Sequence, residues 1–467
     1  MKTNLFKLLL QFIALLVLIA CNRVGERGQK PPIEGEEYIE IIRPTEDGQG
    51  LSDIVEESTS ATSVVKPTQK IHIFIENSGS MNGYINSASH FQMAIGRAIQ
   101  LMRYQYEDDN IKTYYINTKI SQTICPEGTE LYEFVQQMLQ KTQFTKSGNT
   151  SSTDLNQVVK NVLDSVDSNN TAILISDLIY SLPSTSGVTE SLLYGCQNLT
   201  MSAFLNKTKV LQNGVSLATS LVQLYSSFNG HYWHWEKPTG NQYVNLVCSR
   251  PYYMCIIGTD ENVKCFNNNI EISSLRGYKN QFTISNKDVS KAAYSVFDTK
   301  YKKGSYRHQN YNSIHTISNV KKNSKGEFEL GIGINLSDFT MSESDKLDLS
   351  NYHVERGNYQ IVRVEKIDSL TITNPTDKNL VERNKITHAI ILKSTGFPND
   401  ISISIKRKLP IWIKETSSID DRNIVRDNNE QRKTFGLAYF VEGISDAYNY
   451  LAQNKQNYMT INIKVTN

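Results

Sequence analysis

The stretch IHIFIENSGSMNGY, residues 71–84, joins a short apolar run to a polar loop. The run is typical of a buried strand, and Glu76, Ser78 and Ser80 follow it at every second position. Side-chain oxygens in this pattern could hold a cation at the end of a strand. The same serines could instead cap the helix that follows, because hydroxyls accept hydrogen bonds from free backbone N–H groups. The stretch alone leaves both interpretations open.

Alternating strand and helix patterns continue from this stretch to about residue 270. Apolar runs predict strands at 111–117 and 171–176. Apolar residues at helical spacing predict helices over 91–102, 131–139, 155–166 and part of 190–209. A strand over 215–228, an inserted β-hairpin over 230–248 and a last central strand over 252–258 complete the pattern. This alternation favours an α/β domain, 70–271, with a doubly wound, mainly parallel sheet and helices on both faces.

Beyond residue 272 the helical spacing mostly disappears. Strands are predicted from the segments EFELGIGINL (327–336), YQIVRVEKI (359–367), HAIILKS (388–394), ISISIKR (401–407), LPIWIKE (409–415) and YMTINIKV (458–465). One helix is predicted over 435–451. We interpret 272–467 as a β-rich C-terminal domain, either sandwich-like or α+β.

The N-terminus has the pattern of an export signal. Lys2 and Lys7 precede an apolar segment, 8–20, that is shorter than a membrane-spanning helix requires. Residues 1–20 are therefore predicted to be a signal peptide. They end in LIAC, with Ala20 before Cys21, which resembles the lipobox of bacterial lipoproteins and implies lipidation of Cys21. A membrane-anchoring helix or an ordinary cleaved signal would also account for the segment.

Residues 21–69 are rich in proline and acidic side chains and are predicted to be a flexible tether, because such a stretch buries too little apolar surface to offset its ordering entropy.

Asn22 follows the cysteine, where an aspartate would favour retention at the inner membrane. The predicted location is the cell envelope, lipid-anchored at the outer membrane rather than the inner.

Composition argues against several classes of partner and cofactor. Lys and Arg number 49 and Asp and Glu 47, without a long basic block, so nothing indicates nucleic-acid binding. Five cysteines follow Cys21, and an odd number leaves at least one free thiol in an exported protein. No CxxC pair occurs, which gives no support to a zinc site.

Three polar clusters fall where strands of the predicted sheet end. Ligands of open α/β sheets bind outside the carboxyl ends of strands. The clusters contain two carboxylates and three hydroxyls, from Glu76, Ser78, Ser80, Thr153 and Asp177. A set made only of oxygens suits Mg²⁺, Mn²⁺ or Ca²⁺. Helix capping by Thr153 and a simple strand end at Asp177 are the alternatives.

The segments SGSM, SSTDL and ILISDL resemble, in order, the loops of the von Willebrand factor A domain that form its metal-ion-dependent adhesion site. The resemblance covers about residues 70–270. It implies that Ser78, Ser80, Thr153 and Asp177 hold Mg²⁺ or Ca²⁺ and that a protein partner supplies an acidic ligand group. Glu76 stands where the family has aspartate, and Leu178 stands where it usually has glycine.

The predicted hairpin carries the aromatic residues Tyr232, Trp233 and Trp235, which we assign to partner binding. Packing against the rest of the protein would explain them as well. No P-loop, dinucleotide-binding or zinc-protease motif occurs, so the chain is predicted not to be an enzyme. A structural lipoprotein with a metal-free A domain is the main alternative. A serine hydrolase using Ser80 is a second one, although Ser80 lacks the flanking glycines of a nucleophile elbow.

Overall fold

In the computed structural model, the apolar run of the opening stretch is the third strand of a seven-stranded sheet. The structure describes residues 67–85, 89–146, 150, 153–182, 189–211, 214–234, 243–308, 315–453 and 456–466, all within one compact unit, Val64–Asn467. The predicted signal peptide, Cys21 and nearly all of the predicted tether lie outside the described residues.

The first sheet has the strand order β3-β2-β1-β4-β6-β5-β7. Its strands are β1 (Lys70–Glu76), β2 (Ile111–Ile116), β3 (Ile120–Gln122), β4 (Asn170–Ser176), β5 (Leu217–Tyr232), β6 (Val244–Thr259) and β7 (Tyr278–Ser285). Only β1 pairs in parallel, with β2 on one side and β4 on the other. All other neighbours in this sheet are antiparallel.

The prediction of a mainly parallel sheet is therefore wrong, and the sheet is mixed. The reason lies in β5 and β6, which are the two 16-residue arms of one long hairpin. Strands joined by a hairpin must run antiparallel. The segments predicted as a strand (215–228), a separate hairpin (230–248) and a central strand (252–258) contribute their described residues, outside 235–242, to these two arms.

Helices cover both faces of the sheet, as predicted. The helices of this region are α1 (His90–Gln105), α2 (Leu131–Met138), α3 (Lys141–Phe144), α4 (Leu155–Asp164), α5 (Thr189–Val210) and α6 (Asp260–Asn269). Successive side chains of a strand point to opposite faces. Ile73 and Ile75 accordingly pack in the core beneath α1, whereas Phe74 packs in the core beneath α4. Among the helices in the described ranges, none combines the length and apolar character needed to cross a membrane.

The C-terminal region contains two further sheets that share one core. One has five strands in the order β12-β15-β18-β10-β9, and the other four in the order β13-β14-β11-β8. Their strands are β8 (Tyr294–Val296), β9 (Ser305–His308), β10 (Thr316–Lys321), β11 (Glu329–Ile334), β12 (Tyr352–Arg356), β13 (Tyr359–Lys366), β14 (His388–Ser394), β15 (Ile401–Lys406) and β18 (Asn457–Thr466). Ile390 of one sheet and Ile403 of the other lie in the same apolar cluster.

The remaining elements of this region are α7 (Glu343–Leu347), α8 (Pro375–Asn384), α9 (Ile411–Glu415) and α10 (Leu437–Leu451), with the short paired strands β16 (Ser417–Ser418) and β17 (Thr434–Phe435). The prediction of a strand in LPIWIKE is wrong, because Ile411–Glu415 form a helical turn after Pro410. Short apolar runs do not distinguish a strand from a helix by spacing alone.

The end of the chain returns to the first sheet. Helix α10 packs on the same face as α4 and α5, with Phe440 and Tyr448 in their core. The hydroxyl groups of Tyr448 and Thr219, on β5, are 2.8 Å apart. Strand β7 also pairs in the first sheet, although it lies beyond the boundary predicted between 271 and 272. Both contacts join the C-terminal region to the first sheet.

We predict that Phe440→Ala lowers the free energy of unfolding of the whole unit by about 3–5 kcal/mol, because it removes a fully buried ring from the core that α10 shares with the first sheet. The measurement is a urea titration followed by fluorescence and by circular dichroism. Tyr450→Ala, on the same helix but 60% exposed, is the control and should change stability little. Equal effects of the two substitutions would contradict the predicted packing.

Candidate functional site at the ends of β1 and β4

The parallel pairing of β1 with β4 brings two carboxyl groups to the same edge of the sheet. Ile75 lies opposite Ile175, so Glu76 ends β1 beside Ser176, the last residue of β4. The hydroxyl of Ser176 donates a hydrogen bond to Glu76 Oε2. Asp177 follows directly. Residues 101 positions apart in the sequence thus meet at the carboxyl ends of neighbouring strands.

Both carboxyl groups are buried, Glu76 with 4% and Asp177 with 3% of its surface exposed. Burial, and then the negative charge of Asp177, raises the pKa of Glu76 to about 8, although Ser176 and Ser78 hydrogen bonds oppose the rise. Burial also raises the pKa of Asp177, against a hydrogen bond from Ser80. Because two negative charges are unfavourable in such a place, a proton or a cation must offset one of them near neutral pH.

The two loop serines join this pair of carboxyl groups. The hydroxyl oxygens of Ser78 and Ser80 are 3.0 Å apart. Ser78 is hydrogen-bonded to Glu76, and Ser80 to Asp177. Neither serine caps α1, whose first turn is capped by the Ser89 side chain through the N–H of Gln92, at 3.2 Å. The capping interpretation of Ser78 and Ser80 is therefore wrong for α1.

Thr153 lies just before α4, where the sequence predicts one of the three polar clusters. The helix is capped by Asp154, whose side chain accepts the N–H of Asn156 at 2.9 Å, and not by Thr153. The Thr153 hydroxyl is buried and has no hydrogen-bond partner among the described residues. The loop that carries Ser78 and Ser80, named the serine loop, contacts Thr150. The Gly79 N–H of this loop donates to the Thr150 carbonyl at 2.8 Å. Thr153 thus carries a buried hydroxyl, and Thr150, three residues earlier, contacts the serine loop.

The turn that holds Asp177 has an unusual backbone. Leu178 adopts a φ of 53°, in the left-handed region that favours glycine. Its side chain is fully buried, and its N–H donates to the Ser176 hydroxyl at 2.8 Å. The Ile179 N–H donates to Asp177 Oδ1 at 3.3 Å. Packing and these two hydrogen bonds offset the strain and fix the direction of Asp177.

A buried arginine that sequence reasoning missed lies close to the pair. Arg250, on β6, is 1% exposed, and its guanidinium lies 4.5 Å from the centre of the Tyr232 ring. It donates to the carbonyls of Gln431 at 3.2 Å and Lys433 at 3.3 Å. Its positive charge opposes the rise in the pKa of Asp177. The only signal in the sequence is an arginine next to an apolar strand segment, in CSRPYY.

The aromatic residues of the hairpin divide into two roles. The assignment of Tyr232 to partner binding is wrong, because its ring is 1% exposed and its hydroxyl donates to Asp421 Oδ2 at 2.9 Å. Trp233 is half-buried and lies against the serine loop, where a methyl group on Gly79 would come within 2.8 Å of its ring. Trp235 lies outside the described residues. Of the three assigned aromatic residues, Trp233 is the one that the described part of the hairpin places, partly exposed, against the serine loop.

The residues at this edge fit a hard divalent cation by their chemistry. Within the described ranges, no group of three or more His, Cys, Asp and Glu residues is arranged to hold a metal ion. The strand-end set instead consists of two carboxyl groups and three hydroxyls, and the Thr153 hydroxyl is buried without a partner among the described residues. Oxygen donors of this kind are those that Mg²⁺ and Ca²⁺ prefer. Arg250 is the competing source of positive charge.

The raised pKa of Glu76 makes the stability of the cation-free protein depend on pH. Between the ordinary value of 4.5 and about 8, the folded protein holds a proton that the unfolded chain has lost. Stability therefore falls as pH rises through this window, at up to about 1.4 kcal/mol per pH unit. We predict that Glu76→Gln removes most of this slope and stabilises the protein at pH 8.

The measurement is the urea midpoint between pH 5 and pH 8 with EDTA present. Glu271→Gln, which changes an exposed carboxyl group, is the matched control and should keep the wild-type slope. A slope that is the same in wild type and Glu76→Gln would show that Glu76 is already charged in the folded protein at low pH.

No protein-family model, curated protein sequence or solved structure matches this chain. We therefore infer the role of the strand-end site from the contacts, burial and charges of its own residues.

Proposed function

We propose that this chain is a lipid-anchored protein of the cell envelope that binds a protein partner through the edge formed by β1 and β4. A divalent cation, Mg²⁺ or Ca²⁺, would be held there by Glu76, Ser78, Ser80, Thr153 and Asp177. The observation that carries the proposal is the pair of buried carboxyl groups linked to each other through serine hydroxyls. The resemblance of the three loops to the von Willebrand factor A domain supports the same assignment.

Each residue of this site has a distinct role in the proposed cation binding. Asp177 is the carboxyl group whose ionised form the nearby positive charge of Arg250 favours. Glu76 holds a proton near neutral pH and gives it up when a stronger positive charge arrives. Ser78 and Ser80 orient the two carboxyl groups by hydrogen bonds. When bound, the cation supplies a positive charge to which an acidic side chain of the partner can attach.

Trp233 would extend the contact beyond the cation. Its ring is half-buried against Gly79, within the serine loop itself. Tyr243 and His231 stack on each other with ring centres 3.7 Å apart, and Trp233 lies 5.8 Å from Tyr243. Aromatic side chains that are partly exposed are frequent anchors in protein interfaces. These rings form an apolar rim next to the charged centre.

We predict that calorimetric titration of the wild-type protein with Mg²⁺, Mn²⁺ and Ca²⁺ detects binding of at least one of them. Affinity should rise between pH 6 and pH 8, because binding displaces the proton of Glu76. Repeating the titration in buffers of different ionisation enthalpy measures that proton release. Asp177→Asn should weaken binding at least roughly a hundredfold, since it removes one of two charged ligands.

Asp109→Asn, at an exposed acidic position away from the site, is the control for this titration and should bind as the wild type does. The cation-dependent proposal fails if no ion binds and Asp177→Asn changes nothing. Binding without proton release would leave the cation but contradict the role given to Glu76.

The main alternative is a structural lipoprotein in which Arg250 permanently replaces the cation. The contacts of Arg250 with the Gln431 and Lys433 carbonyls favour it, because they hold an internal positive charge near Asp177. Partner capture separates the two functions. If the cation is required, EDTA and Asp177→Asn should each lower capture roughly tenfold or more.

In the alternative, Trp233→Ala lowers capture whereas EDTA and Asp177→Asn leave it unchanged. The measurement is cross-linked capture from an envelope extract, quantified against the wild type. Tyr104→Ala, which removes a ring that is 79% exposed on α1, is the control for Trp233→Ala.

A further inference from the structure

A cleft of about 720 Å³ lies between β7 and the segment 406–414, which contains α9. We name it the β7–α9 cleft. Its walls also include Asp345, in α7, and Tyr458, in β18. The volume is within the range of small-ligand sites, about 300–1,000 Å³. None of the strand-end residues lines it, so its role is independent of the proposed partner site.

The charged residues of the cleft are mostly basic. Its five cationic residues are Lys279, Lys406, Arg407, Lys408 and Lys414, and its two acidic residues are Asp345 and Asp348. Lys406 forms an ion pair with Glu355. Lys279, Lys408 and Lys414 have no carboxylate within 4.0 Å in the described part of the chain. Burial raises the pKa of Asp345 to about 6, and hydrogen bonds from Ser342 oppose the rise. An anionic ligand is therefore favoured.

Arg407 places a buried positive charge in the wall of this cleft. It is 7% exposed, and its guanidinium lies 4.4 Å from the centre of the Tyr458 ring. It donates to the carbonyls of Ser285 and of Lys287, the latter at 2.8 Å. Its Nε has no hydrogen-bond partner among the described residues, and no carboxylate forms an ion pair with it there. An anion in the cleft would offset this charge.

The wall formed by β7 offers a hydrogen-bond acceptor. Asn280 donates its amide N–H to Gln223 at 2.8 Å, and Gln281 donates to Ser220 at 3.0 Å. Asn280 and Gln281 are neighbours on β7 and point to opposite faces of the sheet, so the side-chain carbonyl oxygen of Asn280, on the face where Trp412 packs, is the one that remains for a ligand with a hydroxyl donor. The indole of Trp412, which is half-buried, supplies flat apolar surface.

We propose that the β7–α9 cleft binds an acidic oligosaccharide, with its carboxylates on the lysines, a hydroxyl on the Asn280 amide oxygen and a sugar face on Trp412. Each unit of such a ligand combines an anionic group, hydroxyl donors and a flat face of C–H groups. Inorganic phosphate uses only the lysines. An acidic peptide side chain provides the charge without a hydroxyl that could donate a hydrogen bond to the Asn280 oxygen.

The test is calorimetric titration of the full chain with a pentamer of galacturonic acid at low salt. Binding of the pentamer is expected, with little binding of the uncharged galactose pentamer. The double substitution Lys408→Gln/Lys414→Gln should weaken affinity roughly tenfold, because it removes two exposed cations without disturbing the core. Trp412→Phe should retain most of the affinity and Trp412→Ala should lose it.

Lys291→Gln, at an exposed lysine outside the cleft, is the matched control and should bind as the wild type does. Asp177→Asn should also leave sugar binding unchanged, which separates this proposal from the strand-end site. Equal binding of a glutamate pentapeptide or of inorganic phosphate would overturn the assignment to a sugar acid. No binding of the pentamer, or the same affinity in the lysine double variant, would overturn the site.

Discussion

The burial of Glu76 and Asp177 side by side is the constraint on which the strand-end region depends. Two carboxyl groups at the ends of neighbouring parallel strands cannot both be charged in an apolar setting without compensation. The protein offers hydrogen bonds from Ser78, Ser80 and Ser176 and the positive charge of Arg250. These contacts lower the cost of the negative charge but still leave the pKa of Glu76 at about 8. The charge of this site therefore depends on pH near neutrality.

The long hairpin of β5 and β6 connects this site with the C-terminal region. Arg250, on β6, donates to the carbonyls of Gln431 and Lys433, and Tyr232, on β5, donates to Asp421. Tyr253, on the same hairpin, lies 3.0 Å from Thr434 through its hydroxyl. The segment between β16 and β17 therefore contacts Arg250, whose charge acts on Asp177. Packing of the C-terminal region and electrostatics at the strand ends are coupled through these few contacts.

Much of the fold was predictable from local patterns, because apolar spacing reports which face of an element is buried. Strands at 71–76 and 171–176 and the helices near 91–102 and 190–209 lie where spacing predicts them. The direction of β6 was not predictable in this way, since an apolar run has the same pattern in parallel and antiparallel strands. The short helix at Ile411–Glu415 was missed because five residues are too few to show a helical period.

The candidate site, like the fold, was predictable from local sequence patterns only in part. The sequence shows which oxygen-bearing residues stand next to a strand or helix end, because these ends follow from local apolar runs. These residues are Glu76, Ser78, Ser80, Thr153 and Asp177. Which of these groups are buried, which hydroxyl donates to which carboxyl group, and that Arg250 stands near Asp177 are decided only when distant segments pack together. The pKa of Glu76 depends on that packing, since burial and neighbouring charge, not residue type, set the cost of ionisation.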